Sequence, residues 1–108
     1  MPFIHQNLAQ DGWQKLSFME QLGNIGSEVG RAANAQSNDQ TKFENARLRA
    51  LELLDLTLDD PRWKGRLKEI ARAREVFCDT TTNQSREYHA NLKDLEKYFF
   101  AFALLVRK

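Results

Sequence analysis

The chain is short of cysteine, proline, histidine and β-branched aliphatic residues, and each shortage narrows what it can be. Its single cysteine, Cys78, excludes a disulfide within the chain. A disulfide-stapled scaffold is therefore out, and a reducing compartment is the expected setting. Only two prolines occur, Pro2 and Pro61, so little interrupts helical runs. Valine and isoleucine are scarce, whereas Ala, Leu, Glu, Lys, Arg and Gln dominate, which favours helix over sheet. The longest apolar run, Tyr98 to Val106, falls far below the ~20 residues that span a bilayer. The opening MPFIHQNLAQ has no basic region and no long apolar run of the kind a secretory signal carries. The expectation is a cytoplasmic chain with no membrane partner.

Chemistry-bearing residues are equally thin. The two histidines, His5 and His89, stand alone. Neither belongs to a Glu-x-x-His pair of the kind di-iron bundles carry on two helices, so neither a metal nor a cofactor is expected. Cys78 near a helix end reads as a small buried apolar residue. No catalytic residue stands out.

What is present is 108 residues, 42% hydrophobic and 29% charged, the composition of one globular domain. Four amphipathic segments follow. The first runs from Asp11 to Ala35, with Phe18, Leu22, Ile25, Val29 and Ala32 on one stripe. Ser37-x-x-Gln40 has the form of a capping box opening the second, which runs from Asp39 to Leu58. Its inner face holds Phe43, Ala46, Ala50, Leu53 or Leu54, and Thr57. Asp60 then caps a third helix from Pro61 to Cys78, with Trp63, Leu67, Ile70, Ala73 and Phe77 inward. DTTTNQS reads as a polar loop. The fourth helix runs from Ser85 to Arg107, with Tyr88, Leu92, Leu95, Phe99, Phe102 and Val106 inward. Short connections favour an all-α, up-down-up-down antiparallel four-helix bundle. The alternative is a pair of helical hairpins that completes its core only in an oligomer.

Three glycines inside the first helix are costly, at about 1 kcal/mol each relative to alanine. Gly23, Gly26 and Gly30, with Ala33, form a strip of minimal side chains beside the apolar stripe. Close helix packing, within the bundle or between protomers, would offset that cost. A ligand-pocket floor or a local distortion are the other readings. The same segment, Asn24 to Arg31 (NIGSEVGR), resembles the NIAEGxGR segment of the small four-helix-bundle proteins encoded in ribosomal RNA intervening sequences. Asn24, Ile25, Gly30 and Arg31 match, Gly26 replaces another small residue, and Ser27 and Glu28 depart. The resemblance implies a four-helix bundle that forms ring-like oligomers. Through a related group of retroelement accessory proteins, it also implies a role with nucleic acid. It implies no catalytic residue.

Charge is unevenly spread. The net charge is +1, yet residues 1–60 carry nine acidic and five basic side chains, and residues 61–78 carry six basic and two acidic. Lys64, Lys68 and Arg72 are spaced four apart, with Arg62 and Arg66 as a second row. Such a row can track phosphates of RNA or DNA, or it can be a solvated face. Glu20, Glu28 and Arg31 lie on a polar side of the first helix, Arg47 and Arg74 fall at or beside an apolar stripe, and the five are candidates for a small anionic-ligand site or for structural ion pairs. Finally, one face cannot bury every apolar residue of KYFFAFALLVRK. Phe100, Ala103 and Leu104 project away from Phe99 and Phe102 and are the expected interface, with a second copy as first choice of partner. The sequence thus favours a non-catalytic interaction or assembly module. The alternatives are a nucleic-acid-binding accessory protein and a small ligand-binding or enzymatic bundle.

Overall fold

The computed structural model describes residues 12–82 and 91–106. It is an all-α, up-down-up-down four-helix bundle. Helix α1 spans Phe18–Ala35, α2 Gln40–Leu58, α3 Leu67–Thr82 and α4 Asn91–Val106, with a short 3₁₀ helix at Pro61–Arg66 between α2 and α3. The stretch predicted to begin a helix at Asp11 behaves otherwise. Gly12 and Trp13 are helical, but the chain turns at Gln14 and Lys15 before α1 begins, with Lys15 N–H bonding the Gly12 carbonyl and Leu16 N–H bonding that of Trp13. Ser17 is extended and caps α1. Its hydroxyl accepts from Glu20 N–H at 3.1 Å and its own N–H donates to the Glu20 carboxylate at 2.8 Å. The reciprocal pair satisfies two otherwise orphaned amides, and it lies in Ser17–Glu20.

The capping box expected at Ser37 and Gln40 is therefore a correction. Asn38 and Asp39 N–H groups both return to the Ala35 carbonyl, so residues 36–38 close α1 rather than open α2. The first residue free to adopt extended backbone is Asp39, and its carboxylate accepts from Lys42 N–H at 3.1 Å. The third helix is also corrected. Asp60 and Pro61 start a helix as expected, but it is 3₁₀, and it is kinked within its own length at Trp63, φ −103°, ψ 25°, before α3 begins at Leu67. At the other end, residues 79–82 of the polar loop continue α3. Thr81 Oγ1 bonds back to the Phe77 carbonyl at 2.8 Å, which satisfies the hydroxyl within the helix. Ser85 and Tyr88, like His5, His89 and the start predicted for α4, lie outside the described residues.

Helix α1 packs against both α2 and α4, and α3 closes the ring against those two. The α1–α4 seam is antiparallel. Lys93 Nζ donates to Asn34 Oδ1 at 2.7 Å, Gly30 lies against Glu96, and Gly26 against Phe99 and Phe100. One core joins all four helices through Leu22, Ile25, Leu54, Ile70, Phe77, Leu92 and Phe99, each 1% exposed or less. Burial of each large side chain contributes about 1.5–3 kcal/mol. A core closed within one chain removes the need for a hairpin pair completed by oligomerisation. Leu67, expected inward, is 37% exposed, because the break at Trp63 rotates it off the stripe.

Candidate functional site

The most elaborate constellation is a buried polar hub where the Trp13 turn, α1, α2 and the 3₁₀ helix meet. Gln21 is fully buried. Its Nε2 donates to the Trp13 carbonyl at 2.8 Å and to Asp60 Oδ2 at 3.2 Å, and its Oε1 accepts from Trp63 Nε1 at 2.8 Å. Trp13 Nε1 donates to Thr57 Oγ1 at 2.9 Å, and that hydroxyl donates to the Leu53 carbonyl. Asp60, 2% exposed, takes the Arg62 guanidinium at 2.6 Å and the Arg62 N–H at 3.0 Å. Arg62 reaches on to the Leu16 carbonyl at 2.9 Å and lies 4.4 Å over the Trp63 ring.

Burial pushes the Asp60 carboxyl up, but the Arg62 side chain and N–H and the Gln21 amide outweigh it, so it titrates below the ordinary value. The Asp60 hydrogen bond in turn raises Arg62 against desolvation. Every hydrogen-bonding group of Gln21 is engaged. The hub can hold four segments in place; it presents no free group to a substrate.

Sequence reasoning took Asp60 only as a cap, Arg62 as a phosphate contact, and left Gln21 aside. The signal available was position. Gln21 falls three residues after Phe18 and four before Ile25, on the buried side of α1.

An aromatic stack extends the hub. Phe18 lies 4.7 Å from Trp63 and 5.5 Å, edge-on, from Phe102. Arg66 sits 5.5 Å over Phe18. Two residues of the proposed basic row, Arg62 and Arg66, thus spend their charge on the protein's own groups. Lys64, Lys68 and Arg72 are exposed. No ion pair joins them to a carboxylate among the described residues.

The five residues considered for a ligand do not converge. Glu20 is the capping partner of Ser17. Glu28 and Arg31 pair with each other at 2.5 Å, Arg47 meets Glu44 and Thr81, and Arg74 chelates Asp55. Asp55 raises the Arg74 guanidinium against its desolvation. Arg74 also lies 3.6 Å from Cys78 Sγ, in a half-buried site. Of the five, Glu28 and Arg31 border a cleft of about 570 Å³ between the end of α1 and the start of α2, shared with Asn34, Asn38, Lys42 and Asn45. A second cleft of about 310 Å³ separates α3 from α4, lined by Arg72, Ala73, Val76, Asp94, Leu95 and Tyr98. Burial and the Glu69 carboxylate raise the Tyr98 phenol, with Arg72 opposing. Among the described residues no group of three His, Cys, Asp or Glu side chains is placed to hold a metal ion, and no helix is long and apolar enough to cross a membrane.

Two glycines of the strip, Gly26 and Gly30, pack against α4 within the chain. A Cβ on Gly26 would lie 3.2 Å from Phe99 Cβ and 3.3 Å from Phe100 Cζ, and one on Gly30 would lie 2.9 Å from Glu96 Cδ. Gly23 faces open space, and Ala33 packs against the core from a half-buried position. The C-terminal strip needs one correction. Ala103 is 5% exposed and belongs to the core, because it lies four residues after Phe99 on the same face. Phe100 and Leu104 are 40% and 61% exposed, and Leu105, not singled out from sequence, is 80% exposed. Comparison with protein-family models, curated proteins and solved structures returns no match for the chain.

Proposed function

We propose that this chain is a non-catalytic assembly module that self-associates through the C-terminal half of α4. One observation carries the reading. Tyr98 to Val106 contains no charged residue, yet Tyr98, Phe100, Leu104 and Leu105 all reach solvent at 40% exposure or more. A helix apolar all round belongs in an interior, and the one chain covers only the side bearing Phe99, Phe102 and Ala103. The resemblance of Asn24–Arg31 to the intervening-sequence bundle proteins implies assembly of the same general kind. The reducing setting read from Cys78 makes the cytoplasm its place of work. The test is mass by light scattering over a concentration series. A defined oligomer is expected, and a monomer at every concentration overturns the reading.

A second reading rests on Lys64, Lys68 and Arg72, which are exposed and without carboxylate partners among the described residues. Three such cations at one-turn spacing suit a phosphate backbone, RNA or DNA. Binding to a mixed nucleic-acid pool would then weaken steeply with salt and vanish in the triple glutamine variant. Unchanged binding in that variant removes the reading.

A further inference from the structure

The exposed end of α4 has a shape as well as a polarity. At 100° per residue, Ala101 lies on the crest, about 160° from Phe99, the residue that points into the core. Phe100 and Leu104 flank the crest on the α1 side, and Tyr98 and Leu105 on the α3 side. The seam between α1 and α4 pairs Asn34 with Lys93, Gly30 with Glu96 and Gly26 with Phe100. One further turn brings the open notch at Gly23 to the level of Leu104. Together Phe100, Ala101, Leu104 and Leu105 leave on the order of 350 Å² of mainly apolar surface along one helix, within the range of the largest patch on a monomer, which is often a functional one. That is about half of one partner's share of a standard interface, a fitting size for its desolvated centre.

Resting on the assembly reading above, we infer that the occupant of this patch is α4 of a second copy, antiparallel, across a two-fold axis that sets Ala101 against the partner's Leu104. A small crest residue and a bulky one three positions on are complementary under that rotation. Each Leu104 fills the space over the other chain's Ala101, and the contact is made twice. The same register sets Phe100 against the partner's Leu105. It brings no charged side chain into the centre, since Lys97, one turn before Ala101, falls at the solvated rim. An unrelated partner would have to supply the matching small-and-large pattern by coincidence; a second copy supplies it by symmetry.

The register is tested in a Cys78→Ser background with two single-cysteine variants, Ala101→Cys and Leu104→Cys, oxidised separately and as an equal mixture by copper–phenanthroline. Light scattering of the same background, with and without Leu104→Asp, runs alongside. Leu104 is well exposed, so the aspartate leaves the fold intact, which circular dichroism verifies. The expected result is a dimer, at least a tenfold weaker association in Leu104→Asp, and a disulfide yield several-fold higher in the mixture than in either variant alone. A dimer with no preference for the mixed disulfide overturns this register and leaves the assembly reading standing. A dimer indifferent to Leu104→Asp moves the interface elsewhere and overturns the proposal. A monomer throughout overturns both.

Discussion

The indole N–H of Trp63 donates to the carboxamide oxygen of Gln21 at 2.8 Å, joining residues 42 positions apart across the bundle end. Gln21 gives its two amide protons to the Trp13 carbonyl and the Asp60 carboxylate. One buried side chain on α1 thus satisfies three groups on two other segments, the Trp13 turn and the capped 3₁₀ helix. Replacing Gln21 by leucine keeps its volume but leaves the Trp63 N–H and the Trp13 carbonyl without these bonds. Each unsatisfied group costs about 1–3 kcal/mol, so Gln21→Leu should lower stability by about 2–4 kcal/mol. Urea unfolding measures it, and a loss below about 0.5 kcal/mol would show that the network relaxes around the change.

Asp60 makes the same hub sensitive to acid. Its carboxyl titrates below the ordinary aspartate value in the folded chain, because Arg62 and Gln21 outweigh the burial that pushes it up. The folded value lies below the unfolded one, so the contribution is complete above the unfolded value of about 3.9 and is lost as pH falls through the folded one. Urea midpoints should therefore drop as pH is taken below about 4. Asp60→Asn should be less stable near neutrality and lose less between pH of about 4 and about 2. Parallel acid limbs for the two proteins would place the acid sensitivity in other carboxylates.

Much of this architecture was legible in the sequence because it depends on periodicity. The stripes through Leu22, Ile25 and Val29, through Ala50, Leu53 and Leu54, and through Leu95, Phe99 and Phe102 are buried as their spacing requires. The misread points depend on competition between neighbours. At the start of α2 the closing turn of α1 competes with the capping box expected at Ser37 and Gln40. Asp39 opens α2 because the α1 turn consumes the amides of Asn38 and Asp39. Likewise Trp63 leaves helical geometry, where its indole reaches Gln21 and its ring stacks on Phe18. No local pattern encodes that choice. The polar hub was illegible for the same reason: Gln21, Thr57 and Asp60 come from separate segments, and only the fold shows that they meet.

Arg74 and Asp55 offer a contrast with the hub. Their guanidinium–carboxylate contact is short, 2.6 Å, but both side chains are about a third or more exposed. Water screens such a pair, and its coupling should be about 0.5–1 kcal/mol. A double-mutant cycle with Arg74→Met and Asp55→Asn should return a value in that range and shrink in high salt. A coupling above about 2 kcal/mol would mark the α2–α3 seam as far drier than its exposure indicates.

The three glycines of α1 separate by what stands in front of them. Each costs about 1 kcal/mol of helix propensity, so alanine gains that amount wherever a methyl group fits. At Gly23 nothing lies within 4 Å, and Gly23→Ala should stabilise the fold by about 0.5–1 kcal/mol. At Gly30 the obstacle is the carboxyl end of Glu96, a flexible group that can swing aside, so Gly30→Ala should fall within about 0.5 kcal/mol of the parent. At Gly26 the nearest atom is Phe99 Cβ at 3.2 Å, fixed to the α4 backbone and to a fully buried ring. There the methyl group must push α4 outward, and overpacking of about 1–3 kcal/mol exceeds the propensity gain. Gly26→Ala should destabilise by about 1 kcal/mol. Thermal unfolding of the three variants should therefore rank Gly23→Ala above Gly30→Ala above Gly26→Ala. Equal gains at Gly23 and Gly26 would mean that close approach of α4 is not what the glycine at Gly26 provides.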